Sequence, residues 1–232
     1  MNRTLKAIAA LMLMIVVLFA VGCKKDNAAG DGVISGHTYV DLGLPSGTLW
    51  AACNVGANSP EEYGDYFAWG ETQPKDRYNW NTYQYCMGSH NSLTKYCQDS
   101  SYGNDGFTDN LTVLQQGDDA ASANWGEAWH TPTNENWQEL MNNTAHIWTA
   151  QNGVYGRLFT ATNGASLFLP AAGAHIENHD DGVGSFGCYW SSLLDTNCPY
   201  GAWEFCFSSD IFYLNYNTWR SDGQSVRPVC LR

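Results

Sequence analysis

The chain has 232 residues, with 11 Lys and Arg against 23 Asp and Glu, a formal charge of −12, and 14% aromatic residues. Such acidity repels nucleic acid and anionic lipid headgroups, so neither is expected as a partner. Abundant Trp, Tyr and Gly with scarce Lys and Arg is a composition of strand-rich, loop-rich extracytoplasmic domains more than of helical enzymes.

Residues 1–22 read as a signal peptide. Arg3 and Lys6 precede the uncharged run Ala7 to Ala20, whose fourteen residues are too few to span a bilayer but fit a signal-peptide core. The stretch ends in LFAVGC, which resembles the lipobox at which bacterial lipoproteins are cut and diacylated, here on Cys23. Lys24, Lys25 and Asp26 follow, then NAAGDG, and residues 23–33 are read as a flexible tether because this composition cannot bury surface. The expected location is an outer membrane, held through the lipid anchor only. Lysine beside an acidic residue just after the lipidated Cys resembles a surface-export signal, so the cell surface is the expected face.

Loss of Arg3 and Lys6 leaves nine basic against twenty-three acidic residues, a formal −14. Residues 34–232 carry no internal linker or repeat and read as a single domain. Seven cysteines remain after Cys23, namely Cys53, Cys86, Cys97, Cys188, Cys198, Cys206 and Cys230. An odd number cannot all pair. In an oxidising compartment Cys86 and Cys97, eleven apart across a loop, are the expected disulfide. No CxxC or paired-His spacing supports zinc.

Ile34 to Trp50 predicts short strands broken by Gly and Pro turns. Aromatic alternation resumes in GDYFAWGE, Gly64 to Glu71, where Trp69 reads as core. Thr72 to Gly117 is a long polar loop, and in it Asp99, Asn104, Asp105 and Asp109 are oxygen donors of the kind calcium takes, without the spacing of a helix-loop-helix site. Asp118 is expected to cap a short helix through AASANW, stopped by Gly126. Thr131 or Thr133 caps a second, with Pro132 in its first turn and Trp137, Leu140 and Met141 at i, i+3, i+4. Beyond Asn143 strand character returns in GRLFTATNG and SLFLPAAGAH, with LFLP as a buried strand. In HIENHDD, His175 and His179 stand four apart, but the surrounding glycines predict a loop and the order is not HExxH, so no metal is assigned.

The C-terminal stretch, Gly187 to Arg232, reads as a display surface. Trp203, Phe205 and Phe207 alternate with Glu204, Cys206 and Ser208, the period of a strand with one buried and one open face. Asp210, Ile211, Phe212, Tyr213, Asn215, Tyr216 and Asn217 follow with no consistent apolar period, so several large side chains must point outward. No acid–base–nucleophile set accompanies them, and Ser46, Ser166, Ser191 and Ser192 lack a GxSxG elbow. The chain is read as a non-enzyme without cofactor.

Five blocks in order, YVDLGLPSGTLWAACNVGANSPEEYGDYFAWGET, DDAASANWGEAWHTPTNENWQEL, LFLPAAG, GCYWSS and GQSVRPV, resemble the FISUMP family of bacterial surface domains (the Fib_succ_major paralogous domain), over about Ser35 to Arg232. The resemblance implies an α+β, C-type-lectin-like fold, with two helices flanking a small mixed or antiparallel sheet and irregular loops forming a ligand face. The family carries Arg where this chain has His130. The EPN and QPD motifs of calcium-dependent sugar-binding lectins are missing, as are the reactive cysteines and metal ligands of formylglycine-generating enzymes.

The fold that the resemblance implies is also similar to that of variable proteins of diversity-generating retroelements, whose Asn codons mutate at adenines to Tyr, Ser, Cys, Asp, Ile or Phe. Cys198, Tyr200, Cys206, Ser208, Asp210, Ile211, Phe212, Tyr213, Asn215, Tyr216, Asn217, Ser221 and Asp222 belong to that reachable set. Glu204 and Trp219 do not and would be template-encoded. The expected ligand-binding set is therefore Tyr200, Glu204, Cys206, Ser208, Asp210, Ile211, Phe212, Tyr213, Asn215, Tyr216, Asn217, Trp219, Ser221 and Asp222, facing a protein or glycan ligand on another cell or in the envelope. The alternatives are a structural or adhesive envelope subunit and a metal-dependent enzyme.

Overall fold

The computed structural model describes residues 31–232. The expected signal peptide, lipidated Cys23 and most of the tether lie outside the described residues. The first described strand starts ahead of residue 34: β1 (Gly32–Ile34) pairs with β2 (His37–Val40) through Ser35 and Gly36, both at positive φ, the two-residue turn that matches strand twist. β2 continues to β3 (Thr48–Ala51), and β3 pairs with β14 (Val229–Leu231), so the two ends of the domain meet in one four-stranded sheet.

A second sheet has five strands in the order β12 (Phe212–Trp219), β11 (Gly201–Ser208), β10 (Phe186–Leu194), β13 (Gln224–Ser225) and β4 (Tyr66–Phe67). Its β10–β13 pair is parallel and the rest antiparallel. β5 (Thr144–Gln151), β6 (Val154–Ala161) and β7 (Ser166–Pro170) form a three-stranded meander. β8 (Ala174–Ile176) and β9 (His179–Asp181) form a small hairpin where a loop is expected from the glycines.

Two α-helices form among the described residues. α1 (Ala120–Trp125) is capped by Asp119, whose Oδ1 accepts from Ala121 N at 2.9 Å, one position later than predicted. Asp118 instead accepts hydrogen bonds from Tyr85, at 2.7 Å, and from Tyr96 and Lys95, at 2.5 Å each. α2 (Asn134–Asn143) is capped by Thr133, with Asn136 completing the reciprocal box, so Pro132 precedes the helix and lies outside its first turn. Trp137 and Leu140 are buried and Met141 half-buried, as the spacing predicts.

The α+β, C-type-lectin-like expectation is overturned: strand accounts for 38% of the described residues and helix, two short 3-10 turns included, for 11%, and the sheets curl into a half-barrel. The helices span six and ten residues, too little to form a layer. From Thr144 onward nearly every segment is strand, driven by aromatic and β-branched alternation.

The five-stranded sheet separates two apolar cores. Adjacent strand residues point to opposite faces, so Trp190 of β10 enters a core with Trp69, Tyr96 and Trp129, while Tyr189 enters one with Trp50, Trp137, Phe205 and Phe207. Ala202 of β11 shares the first core. Further along β11 that core ends, and the face carrying Glu204, Cys206 and Ser208 opens into a groove.

Candidate functional site: a groove across the C-terminal hairpin

The groove face is a ladder of cross-strand neighbours. Trp190, Glu204 and Tyr216 stand in one row; Cys188, Cys206 and Tyr213 in the next; Phe186 pairs with Ser208 beyond them. Tyr213 and Tyr216 are an odd number of residues apart and would face opposite ways on a regular strand. A β-bulge reverses this: Leu214 and Asn215 together oppose Phe205, with Asn215 at φ 58°. Both tyrosines therefore share the open face, their rings 5.4 Å apart. The bulge is also why β12 shows no apolar period in the sequence.

Two lobes meet at Tyr216. One, about 370 Å³, is lined by Phe186, Cys206, Ser208, Ile211, Tyr213 and Tyr216. The other, about 560 Å³, is lined by Ile176, Tyr200, Tyr216, Thr218, Trp219 and Asp222, among others. Exposure is high at Ile211, Tyr213, Tyr216 and Trp219, at 45, 47, 52 and 55%. These four apolar side chains project where water would otherwise be excluded only by a partner.

The expected site residues divide by placement. Tyr200, Cys206, Ser208, Ile211, Tyr213, Tyr216, Asn217, Trp219 and Asp222 line the groove. Asp210 is exposed in the turn, where Ser208 Oγ accepts from the Asp210 and Ile211 backbone N–H groups at 3.3 Å each. Phe212 turns inward: it stacks near Phe205, and Arg157 lies over its ring at 3.8 Å, so it is scaffold, contrary to expectation. Asn215 turns to α2, its Oδ1 accepting from Asn134 Nδ2 at 2.6 Å. Ser221 is fully buried. Glu204 lies on the groove face but only 4% exposed, because Tyr216 and Trp190 flank it across the ladder and the Gln224 amide donates to it. The open face predicted for Glu204 is thus closed.

Burial pushes the Glu204 carboxyl up to about 8, with the Asp222 charge adding to the shift and the Gln224 amide opposing it. Burial likewise raises Asp222 to about 7, with the negative charge of Glu177 adding to it. Cys188 and Cys206 are joined in a disulfide beside Glu204, in place of the expected Cys86–Cys97 pair. Cys86 and Cys97 are both buried, their Sγ atoms directed to the Trp80 and Asp99 carbonyls at 3.1 and 3.2 Å. Joined, the Cys188 and Cys206 sulfurs offer Glu204 no thiolate with which to share a metal.

Other sequence candidates are engaged locally. Asp109 accepts from the backbone N–H groups of Tyr96, Cys97 and Leu111, and Asp99 from Ser101, so these carboxylates close turns. His175 meets Asp180 at 2.7 Å across the β8–β9 hairpin and does not face His179. His130 exchanges both backbone hydrogen bonds with Val229 at 2.9 Å.

Sequence reasoning missed part of the rim. Phe186 and Ile176 come from outside the C-terminal stretch or its strand pattern, and the long loop delivers Trp80, 6.4 Å from Trp219, and Tyr102, 5.5 Å from Tyr200. The available signal was aromatic residues in an otherwise polar loop. No family model matches the chain, and neither a curated protein nor a solved structure matches it.

Proposed function

We propose that this chain is a surface-anchored ligand-binding lipoprotein of the FISUMP kind, holding a protein or glycan ligand in the groove across β11 and β12 without catalysis. The observation that carries the reading is the bulge at Asn215, which sets Tyr213 and Tyr216 side by side on an open face with Ile211 and Trp219. Exposed aromatics offer large contact area at small entropy cost, as in antibody loops. The lipobox at Cys23 supplies the anchor in this reading, and the tether supplies reach. Diversification at adenines fits the exposed residues Asp210, Ile211, Tyr213, Asn215 and Tyr216, which sit on a framework of buried Phe205, Phe207 and Arg227.

To test it, residues 24–232 are immobilised and screened against a glycan array and solubilised envelope proteins, beside the Tyr213→Ala/Tyr216→Ala variant. Wild type is expected to retain a ligand that the variant loses, with equal melting temperatures. Equal retention by the two proteins, or none by either, contradicts the reading.

A further inference from the structure

Asp222 forms part of the wall of the larger lobe yet is only 7% exposed. Its carboxylate meets only neutral hydroxyls, a long hydrogen bond from Thr218 Oγ1 to Oδ2 at 3.4 Å and the neighbouring Ser221 side chain, and neither brings a positive charge. No cation among the described residues pairs with it: the ion pairs there are Lys75–Glu71, Lys95–Asp118, His175–Asp180 and Arg232–Asp41. The adjacent Arg220 is committed elsewhere, donating to the carbonyls of Tyr96, Pro199 and Lys95. The groups around Asp222 are Glu204 on β11, Glu177 in the β8–β9 turn, His175 on β8 with its Nδ1 on Asp180, and Cys198 and Tyr200 before β11. A buried carboxylate without a counterion is costly, and an arriving cation relieves it.

The same lobe has aromatic walls, Tyr200, Tyr216 and Trp219, whose faces attract an ammonium or guanidinium group. The net charge of −12 draws such a group in. We infer that this lobe is a subsite for a lysine or arginine side chain of a protein ligand, with Tyr216 and Trp219 packing along its stem and Asp222 receiving its charge. The inference rests on the groove being the binding face and narrows the ligand to a protein presenting a basic side chain.

The test is an NMR titration of the delipidated protein with Nα-acetyl-lysine methylamide, and with the norleucine analogue as the uncharged control. The lysine probe is expected to shift the Trp219 indole and Asp222 amide signals saturably at roughly millimolar concentration, and the control to shift neither. Asp222→Asn should weaken the lysine response at least tenfold and Trp219→Ala, exposed and so safe for folding, severalfold. Because the carboxylate must be ionised and its value is raised to about 7, binding should tighten about tenfold from pH 6 to pH 8. Equal response to both probes, or wild-type response in Asp222→Asn, overturns the subsite. If Asp222→Asn also keeps a ligand that Tyr213→Ala/Tyr216→Ala loses, the subsite falls while the groove stands. A ligand held equally by all three proteins removes both.

Discussion

Asn215 holds a left-handed backbone inside a strand, a conformation Asn tolerates and β-branched residues do not. Asn215→Val should cost about 1–2 kcal/mol, while Asn215→Gly should stay near wild type; urea midpoints measure both. Equal losses would place the importance of Asn215 in its bond to Asn134 instead of its backbone. Glu204 gives a pH signature of opposite sign to the usual surface carboxylate. Its folded value of about 8 exceeds the ordinary 4.5, so the folded state binds the extra proton between those limits. Its contribution is complete below about pH 4.5 and is lost as pH rises toward 8; Asp222, raised from 3.8 to about 7, acts with the same sign. Melting temperature should therefore fall between pH 5 and pH 9, and Glu204→Gln should remove about half of that fall, Asp222 supplying the rest. A wild-type slope in the variant would show that the carboxyl is solvated.

The β11–β12 hairpin works as a rigid platform because it is tied from both sides. On its open face the disulfide joins Cys206 to Cys188 of β10, closing a separation of 18 residues. A loop of that size implies about 3 kcal/mol, so Cys188→Ala/Cys206→Ala should lower the guanidinium midpoint accordingly, and no change would mean the bridge does not form in solution. On the inner face Arg157 of β6 donates to the Ser208 and Ser209 carbonyls, at 2.7 to 3.1 Å, and covers the Phe212 ring. Phe212→Ala should thus cost about 2 kcal/mol or more, whereas Tyr213→Ala should stay within about 0.5 kcal/mol, a contrast read from chemical denaturation. Alternation from Trp203 to Phe207 was legible because that strand is regular. Past Leu214 the extra bulge residue shifts the period, which hid the alternation of β12, so the sequence grouped Phe212 with Tyr213 although these adjacent residues face opposite ways. Glu204 misled for a related reason: alternation reveals which face a side chain takes, not what closes over it from another strand.

Over the whole molecule, the long polar loop from Thr72 to Gly117 has scarcely any regular structure, and buried polar contacts hold it in place. Arg220, fully buried, donates to the Lys95 and Tyr96 carbonyls and lies 5.3 Å from the Tyr83 ring and 5.6 Å from Trp69. Arg220→Met leaves those carbonyls unsatisfied and should cost about 3 kcal/mol or more, with faster proteolysis inside residues 72–117; intact protease resistance would argue that aromatic packing alone retains the loop. The short strands near the start, the two helices and the buried LFLP strand were readable from turn residues, caps and apolar runs. Their proportions were not, since a family resemblance weighted the helices as a layer and the sheet count depends on pairings between distant segments, such as β3 with β14. The cysteine pairing failed likewise: Cys188 and Cys206 meet through strand register, which spacing along the chain does not disclose. The claim on which the rest depends is that the groove, and not exposed apolar surface in general, engages the ligand. Ile147 and Tyr155 on the β5–β6 meander are as exposed as Tyr213 and Tyr216 and serve as the control. Calorimetry of one captured ligand should show at least thirtyfold weaker binding, about 2 kcal/mol, for Tyr213→Ala/Tyr216→Ala and less than about twofold for Ile147→Ala/Tyr155→Ala. Equal losses from the two pairs, or a loss confined to the meander, would contradict the account.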